Sequence, residues 1–190
     1  INSGLKYETY KQIIVQVEDG KNIPFQIENE RELSLINKNP NLNYVLTNNI
    51  YLTPSFKPIE KFSGKLSGLH TLPDGSSFLY SINNLIITGD NNNNKYGLFR
   101  ELENATIENL ILNNISINIE VNENNLGSEG LFVGAIAGKA TNSNIINCSV
   151  SDNKFSSISG SSILSLENSG INLTTTLSSL RGSVYVGGFI

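Results

Sequence analysis

His70 is the one histidine of this 190-residue chain, and it limits the catalytic chemistry that the sequence can suggest. Zinc proteolysis uses two histidines one helical turn apart, and a Ser-His-Asp triad often presents its serine on a Gly-x-Ser-x-Gly turn. Neither pattern occurs in the chain. A single imidazole without clustered Cys, Asp or Glu does not make a metal site. The sequence therefore predicts that His70 is a turn or surface residue.

The acidic residues offer little for general acid–base catalysis. The aspartates are far apart in sequence and fall in different predicted loops: Asp19, Asp74, Asp90 and Asp152. Glycoside hydrolysis typically needs two carboxylates at a set separation, and a repeated fold could still bring Glu108 near other acids. Asn fills most of the equivalent polar positions, and no Gly-Gly-x-Gly-x-Asp calcium repeat occurs. We predict no catalytic residue, no metal and no cofactor, and hence no enzyme activity in this chain.

Cys148 is the only cysteine of the chain. It therefore excludes a disulfide framework within the chain and a cysteine-based zinc site. Free cysteine is among the most buried residue types, so we expect Cys148 to face a core.

Charge and hydropathy exclude further classes of protein. The formal net charge is −4, and only 16% of the residues are charged, which is unlike a phosphate-binding surface. Nucleic acid is therefore not an expected partner. No run of about 18 apolar residues occurs, so no membrane-spanning segment is predicted. The chain has no basic-then-apolar leader and begins and ends abruptly, and we expect it to be a fragment of a longer protein.

One six-residue pattern recurs along the chain. It reads Ile, any residue, Asn, apolar, any residue, aliphatic, and it occurs at 82–87, 107–112 and 145–150. Glycine-containing strands recur beside it at 97–99, 134–136 and 187–189. Repeats of about 20–50 residues built from short strands are typical of solenoids and propellers. Because no consistent four-strand unit is found, the pattern favours a parallel β-helix, in which each coil stacks on the last.

Stacked coils place equivalent residues above one another, so the pattern predicts three inward aliphatic stacks. They are Ile82 with Ile107 and Ile145, Leu85 with Leu110 and Cys148, and Ile87 with Leu112 and Val150. The asparagines of the pattern, Asn84, Asn109 and Asn147, would then bond to each other's amides as a structural ladder. A row of Asn amides that binds a ligand is the alternative.

The first part of the chain predicts different elements. Residues 10–27 alternate as a β-hairpin with a turn at 18–20, and Pro24 makes its second strand an edge strand. Asn29 and Glu32 resemble a capping box at the start of a helix over 30–37, which Asn39-Pro40 would end. Leu33, Leu35 and Ile36 would form its apolar side. So short a helix needs an apolar surface, such as the open end of a sheet stack.

The order of these segments resembles the Gly-Leu-Phe/Val-Gly-Gly (GLUG) repeat region of bacterial surface proteins. The segments that carry the resemblance are 33–36, 44–52, 62–68, 82–85, 97–99 and 107–110. A similar region precedes the catalytic part of the IgA1-type zinc metalloproteases, the M26 peptidases. The chain departs from that pattern at 49–52, where Asp-Ile-Asp-Leu is expected, and at Gly68-Leu69-His70, where a lost glycine turn marks an insertion.

Taken together, the sequence predicts an all-β, right-handed parallel β-helix over 29–190, with a short capping helix and a preceding hairpin or linker over 1–28. The resemblance implies a non-catalytic extracellular module of the bacterial cell surface that attaches to a host surface protein or glycan. The alternatives are a substrate-recognition region of a surface-anchored IgA1-type metalloprotease and a carbohydrate-active β-helix enzyme. Exposed strand edges at its ends would favour self-association. Tyr51, Phe56, Tyr80 and Tyr96 are candidate binding aromatics, although burial in the core is the favoured interpretation of each.

Overall fold

The computed structural model of the chain describes residues 17–89, 93–121, 126, 128–151, 163–165, 171–175 and 183–187. These residues form one short α-helix, a 3₁₀ turn and many short strands. No helix among them has the length and apolar character needed to cross a membrane. The helix is α1 (Glu30–Leu35), followed by a 3₁₀ turn (Ile36–Lys38). The strands are β1 (Phe25–Ile27), β2 (Asn43–Leu46), β3 (Ile50–Tyr51), β4 (Ile59–Phe62), β5 (Lys65–Ser67), β6 (Leu69–Thr71), β7 (Ser77–Leu79), β8 (Ser81–Asn83), β9 (Ile86–Thr88), β10 (Lys95–Tyr96), β11 (Phe99–Glu103), β12 (Thr106–Glu108), β13 (Ile111–Asn113), β14 (Ser116–Val121), β15 (Leu131–Gly134), β16 (Ala137–Thr141), β17 (Asn144–Ile146), β18 (Ser149–Ser151), β19 (Ile163–Ser165), β20 (Ile171–Thr175) and β21 (Val184–Gly187).

The protein is mostly β, and its strands pair in parallel in five sheets. Sheet I is β1-β2-β5-β12-β17, sheet II is β3-β8-β13-β18, sheet III is β9-β14-β20-β19, sheet IV is β10-β15-β21, and sheet V is β4-β11-β16. From β4 onwards the chain visits sheets V, I, II, III and IV in that order and then starts again. We call one such passage a coil. Thr106 pairs with Lys65 and with Asn144, so the two coils that meet there take 41 and 38 residues.

Two interruptions stand outside this order. Strands β6 and β7 form an antiparallel hairpin of their own, between β5 and β8. Strand β19 pairs antiparallel with β20 at the end of sheet III.

Short three-residue strands follow one another because asparagines turn the chain between sheets. Among the described residues, six asparagines take left-handed backbone with φ of 50 to 63°: Asn84, Asn104, Asn109, Asn114, Asn142 and Asn147. Asn tolerates this conformation better than other residues with a side chain. Asn104, Asn109 and Asn114 are five residues apart. The three-residue strands between them, β12 and β13, are therefore each followed by a two-residue corner. Their backbone N–H groups bond to the next coil, as that of Asn109 does to the Ile146 carbonyl (2.8 Å).

The core lies between the sheets and is aliphatic along most of its length. Inward residues alternate along each short strand, and Leu66, Ile82, Ile107, Leu112 and Ile117 are all fully buried. Full burial of an aliphatic side chain contributes roughly 1.5–3 kcal/mol, so the stacked rows hold the coils together.

Aromatic rings fill the core at the N-terminal end. The rings of Phe25, Tyr44, Phe62 and Phe99 follow one another with centroids 6.0, 6.2 and 5.2 Å apart. The Tyr44 hydroxyl donates to the Asn39 carbonyl (2.8 Å), so its polar end is satisfied inside the stack.

The register of the stack differs in part from the sequence-based alignment. Ile107 lies beside Ile145, and Leu112 beside Val150, as predicted. Ile82, however, pairs with Leu112 rather than Ile107. With the same shift, Ile87 pairs with Ile117, and Leu85 does not align with Leu110. The predicted stacks are therefore wrong for the 82–87 segment, whose coil partner begins 30 residues later, not 25.

The glycine-containing strands align as predicted within the described residues. Gly134 pairs with Gly187, and Gly97 follows Tyr96, which pairs with Val133. A Cβ on Gly97 would lie 2.6 Å from the Gly134 carbonyl oxygen. Glycine is therefore needed where these backbones approach closely.

Helix α1 lies between two strands of sheet I. Asn29 caps it, accepting from the Glu32 N–H (3.1 Å), as the sequence predicts. The Glu32 carboxylate accepts from the Glu28 N–H (2.7 Å) rather than from Asn29, so the reciprocal bond is displaced by one residue. Leu33 and Ile36 are fully buried, but Leu35 is 41% exposed, and its place on the apolar side was wrongly predicted.

Strand β1 is the part of the predicted hairpin that the structure describes. It pairs in parallel with β2 and is the terminal strand of sheet I among the described residues, and its edge position in the whole chain stays a prediction. Gly20 takes φ of 68° in the predicted turn. The first hairpin strand, at 10–16, lies outside the described residues.

A double-cysteine experiment tests the register of sheet II. Neighbouring strands lie about 4.8 Å apart, within the Cα span of about 4.4–6.8 Å that a disulfide bridges. In a Cys148→Ala background we expect Asn83→Cys with Asn113→Cys to oxidise to a cross-link, because the two residues are register partners. Asn83→Cys with Glu108→Cys, paired in the 25-residue alignment, should keep both thiols free. Thiol titration and intact mass measure the outcome, and the reverse result would refute the register.

A second experiment tests the left-handed corners. Asn114 combines φ of 54° with a bond from its Nδ2 to Asn84 Oδ1 (2.6 Å). Asn114→Ala should lower the free energy of unfolding by about 1–2 kcal/mol, because Ala resists this conformation. Asn114→Gly loses the same bond without that strain and should cost clearly less. Urea unfolding compares the two, and equal losses would show that backbone strain is not what selects Asn.

Candidate functional site

The candidate site is an open groove on the outer face of sheet I. Its volume is about 690 Å³, within the range of about 300–1,000 Å³ typical of ligand sites. Outward residues of four strands form its floor: Gln26, Asn43, Val45, Lys65, Ser67 and Glu108. Strand β6 and the turn after it form one wall, and Ile23 and Pro24 close the end nearest the start of the described chain. We call this the hairpin groove.

The hairpin that walls the groove is inserted at one corner of a coil. Gly68 occupies the position that Asn109 holds in the next coil, since its N–H donates to the Glu108 carbonyl (3.0 Å). The Tyr80 N–H donates to the Gly68 carbonyl (2.8 Å), which closes the base of the hairpin. Ser81 then pairs with Ile111. The eleven residues 69–79 are thus an insertion between two positions that are adjacent in the following coil.

Glycine is required where the hairpin leaves the stack. A Cβ on Gly68 would lie 2.1 Å from the Asn109 carbonyl oxygen. The Ser67 hydroxyl accepts from the Leu69 N–H and donates to the Leu69 carbonyl, both at 3.1 Å. This tight contact turns β6 away from β5 and directs it alongside the face of sheet I.

The far end of the hairpin is a turn held by hydrogen bonds between neighbouring residues. The Leu72 N–H donates to the Ser76 carbonyl (2.8 Å), and Gly75 takes φ of 87°. The Asp74 carboxylate accepts from the Ser76 hydroxyl and N–H, and these bonds, the hydroxyl's first, lower the pKa of Asp74. The Thr71 and Ser77 hydroxyls bond to one another across the strands (2.9 Å). The hairpin is thus a preformed wall.

An ion pair lies on the groove floor. Lys65 Nζ is 2.9 Å from Glu108 Oε1, with 47% and 23% of the two side chains exposed. The two residues lie on neighbouring strands of sheet I, β5 and β12. The groove therefore presents one cation and one anion together with the apolar side chains of Val45 on its floor and Leu72 on its wall. This arrangement suits binding of a ligand with little net charge.

The structure places His70 on β6, where it lines the groove beside Leu69 and Thr71. It is thus a surface residue, as predicted. In the part of the chain that the structure describes, no three His, Cys, Asp or Glu side chains come together as metal ligands.

The other predicted chemistry-bearing residues have structural positions. Asp19 accepts from the N–H groups of Lys21, Asn22 and Ile23, and these bonds, that from Ile23 above all, hold its pKa well below its ordinary value. Cys148 packs against the core, as predicted, and burial raises the pKa of its thiol. Asp90 and Asp152 lie outside the described residues.

The asparagine ladder forms with different partners for one member. Asn147 Nδ2 donates to Asn109 Oδ1 (3.4 Å), as predicted. Asn84 accepts from Asn114 rather than Asn109, because of the register described above. Beside it, Asn113 Nδ2 donates to Asn83 Oδ1 (3.1 Å). Because these amides bond to one another across coils, their role in the described stack is structural.

The four candidate aromatics divide between core and surface. Phe56 and Tyr96 are buried, as the core interpretation predicts, and Tyr80 is partly buried against the core. Tyr51 is 66% exposed, so the core interpretation is wrong for it. None of the four lines the hairpin groove.

A second exposed feature is an aromatic pair on sheet IV. The rings of Phe132 and Tyr185 stack at 4.8 Å with planes 9° apart, and Lys139 Nζ lies 5.6 Å from the Phe132 centroid. The rings cover one another's faces, so this pair is satisfied within the stack. Its position away from the groove makes it a useful control surface.

Sequence reasoning missed the groove because it missed the register. Aligning Ile82-Asn83-Asn84 with Leu112-Asn113-Asn114 places the surplus residues between Gly68 and Tyr80. The departure from the repeat pattern at Gly68-Leu69-His70 was the signal of this insertion. Lys65 and Glu108 carry no sequence signal, since they are far apart in the chain and meet only through stacking.

Comparison with known proteins gives this chain no relative. No family model matches it, no curated protein matches it, and no solved structure matches it.

Proposed function

We propose that this chain is a right-handed parallel β-helix module of a bacterial surface protein, and that it attaches to another molecule through the hairpin groove. The repeated order of parallel sheets supports the β-helix. The right hand follows from a general rule, since parallel strands joined by a crossover are right-handed in about 98% of cases. The GLUG-like segments support an extracellular, cell-surface location, and attachment is the role that the resemblance implies.

The inserted hairpin is the observation that carries the attachment role. The stack does not need residues 69–79, because Gly68 and Tyr80 already occupy consecutive positions of a coil. An insertion that interrupts a regular scaffold and encloses a groove is typical of binding elements, which are commonly loops held by a rigid framework. The groove also combines apolar walls with a few fixed polar groups, as ligand sites do.

The hairpin also carries exposed apolar side chains, one that lines the groove and two on the strand that does not, which a partner of the hairpin would cover. Phe78 is 47% exposed and Leu79 is 51% exposed, both on β7. Leu69, on β6, is 37% exposed. A solvent-exposed hairpin with three such residues gains free energy when a partner covers it.

A substrate-recognition region of an IgA1-type metalloprotease is the second candidate. The specific observation in its favour is that a strand, β6, borders the groove. Protease substrates commonly bind as extended chains beside such strands. In this case the groove would hold a polypeptide that a catalytic domain elsewhere cleaves.

Deleting residues 69–79 tests the proposed function. Gly68 and Tyr80 would then be joined directly, and Gly68 can adopt the left-handed corner conformation that Asn109 has. We expect the variant to fold, with a thermal unfolding temperature within a few degrees of that of the parent chain. Binding to an array of glycans, matrix proteins and peptides should be lost, because the groove loses its wall. Tyr185→Ser, on sheet IV, is the control and should keep binding.

Size-exclusion chromatography accompanies the array so that self-association is recognised. Saturable binding by monomer that the deletion removes would support attachment through the groove. Binding retained by the deletion variant would place the site elsewhere. No binding by folded parent monomer would refute the attachment role.

A further inference from the structure

We infer that the hairpin groove binds an extended polypeptide segment, which adds as a strand to the free edge of β6. This inference rests on the proposed function and names the chemical class of its partner. Three features carry it: an edge of β6 that pairs with no described residue, the side of β6 that faces the groove, and the chemistry of the groove floor.

The hydrogen bonds of the hairpin define which backbone groups of β6 are free. The Leu72 N–H bonds to the Ser76 carbonyl, and the Tyr80 N–H bonds to the Gly68 carbonyl. In an antiparallel pair, bonded and non-bonded residue pairs alternate. His70, two residues from each, therefore faces Phe78 as a bonded pair, and Thr71 directs its N–H and C=O away from β7. The N–H and C=O of Leu69 are also directed away from β7, but both already bond to the Ser67 hydroxyl.

The free edge of β6 faces the groove and not open solvent on the far side. Residues Leu69 to Pro73 line the groove, whereas no residue of β7 does. Strand β6 also lies near β2 of sheet I. The backbone groups of Thr71 are thus directed towards a bounded space, where a ligand would meet both the strand edge and the sheet floor.

A polypeptide fits this space better than a glycan does. A strand in the groove would exchange two hydrogen bonds with Thr71 and rest its alternate side chains on the floor. Those side chains would meet Val45, Ser67 and the Lys65–Glu108 pair, which together carry no net charge. Among the described lining residues the one aromatic ring, that of Tyr44, is buried, so they offer no exposed aromatic face of the kind on which sugar rings pack. The strand length of β6 fits about three to five residues of partner.

The first experiment uses the intact chain and a library of blocked heptapeptides with randomised sequence. A binding peptide is then resynthesised with an N-methyl group at each backbone position in turn. Strand addition predicts weakening at every second position, because alternate N–H groups face β6, where an N-methyl group either removes the bond to the Thr71 carbonyl or clashes with the strand. Binding by side chains alone predicts no such period of two. Fluorescence anisotropy measures the affinities.

A pair of proline variants separates the two edges of the hairpin. Thr71→Pro removes the Thr71 N–H, which lies on the groove side. Ser77 is the cross-strand partner of Thr71, and Ser77→Pro removes an N–H on the far side of the hairpin. Both lose the same hydroxyl–hydroxyl bond, so they match in their local cost. We expect Thr71→Pro to weaken peptide binding at least about fivefold, which corresponds to about 1 kcal/mol. Ser77→Pro, and the control Thr71→Ser, should both bind the peptide with an affinity close to that of the parent chain.

The outcomes distinguish this inference from the proposed function. Period-two sensitivity together with loss in Thr71→Pro alone supports strand addition. Glycan binding that the 69–79 deletion removes, with no peptide binding, overturns the inference and leaves attachment intact. Self-association that Thr71→Pro abolishes assigns the groove to a second copy of this chain and also overturns it. Absence of any binding by the folded parent chain refutes both this inference and the proposed attachment role.

Discussion

The structure depends on one constraint: each coil must hydrogen-bond in register with the coils on either side. Parallel pairing places residue above residue at about 4.8 Å, so a coil can change its side chains but not its path. The path turns by left-handed asparagines at the ends of short strands, as at Asn104, Asn109 and Asn114. Each of these corners also bonds its N–H to the next coil. The six asparagines with left-handed backbone in the described residues are therefore a consequence of how the strands must turn.

The same constraint explains where variation is tolerated. A residue added within a strand would shift every later side chain to the wrong face. Residues added at a corner leave the register untouched if their two ends meet, and the bond from Tyr80 to Gly68 achieves this (2.8 Å). The entropic cost of closing an insertion grows only slowly with its length. The hairpin can thus differ in sequence and length without a matching change in the core.

How far the sequence predicts this structure depends on which interactions are local. The parallel stack, the Asn29 cap and the Ile107–Ile145 row follow from short patterns, and the structure contains them. The alignment of Ile82 was wrong because two segments of one coil have the same pattern. Ile107–Leu112 and Leu112–Ile117 both match 82–87 in outline, and only pairing between coils decides between them. The groove could not be predicted, since Lys65 and Glu108 become neighbours only once that pairing is known.

The position of the groove follows from the direction in which the hairpin leaves the stack. Because Gly68 has no side chain, the chain passes close to the Asn109 backbone just before β6 begins, and the Ser67 hydroxyl then bonds to both the N–H and the C=O of Leu69. Those bonds occupy the N–H and C=O of Leu69 and leave Thr71, two residues further along β6, with the first N–H and C=O on that edge that bond to no described residue. In the proposed strand addition, the partner would therefore lie away from the stack, over the floor of sheet I, where the Lys65–Glu108 pair is held by neighbouring coils. A partner strand would contact a wall, residues 69–79, whose sequence can vary, and a floor whose geometry the register fixes. Substitutions in the wall can therefore change the specificity while the geometry of binding stays the same.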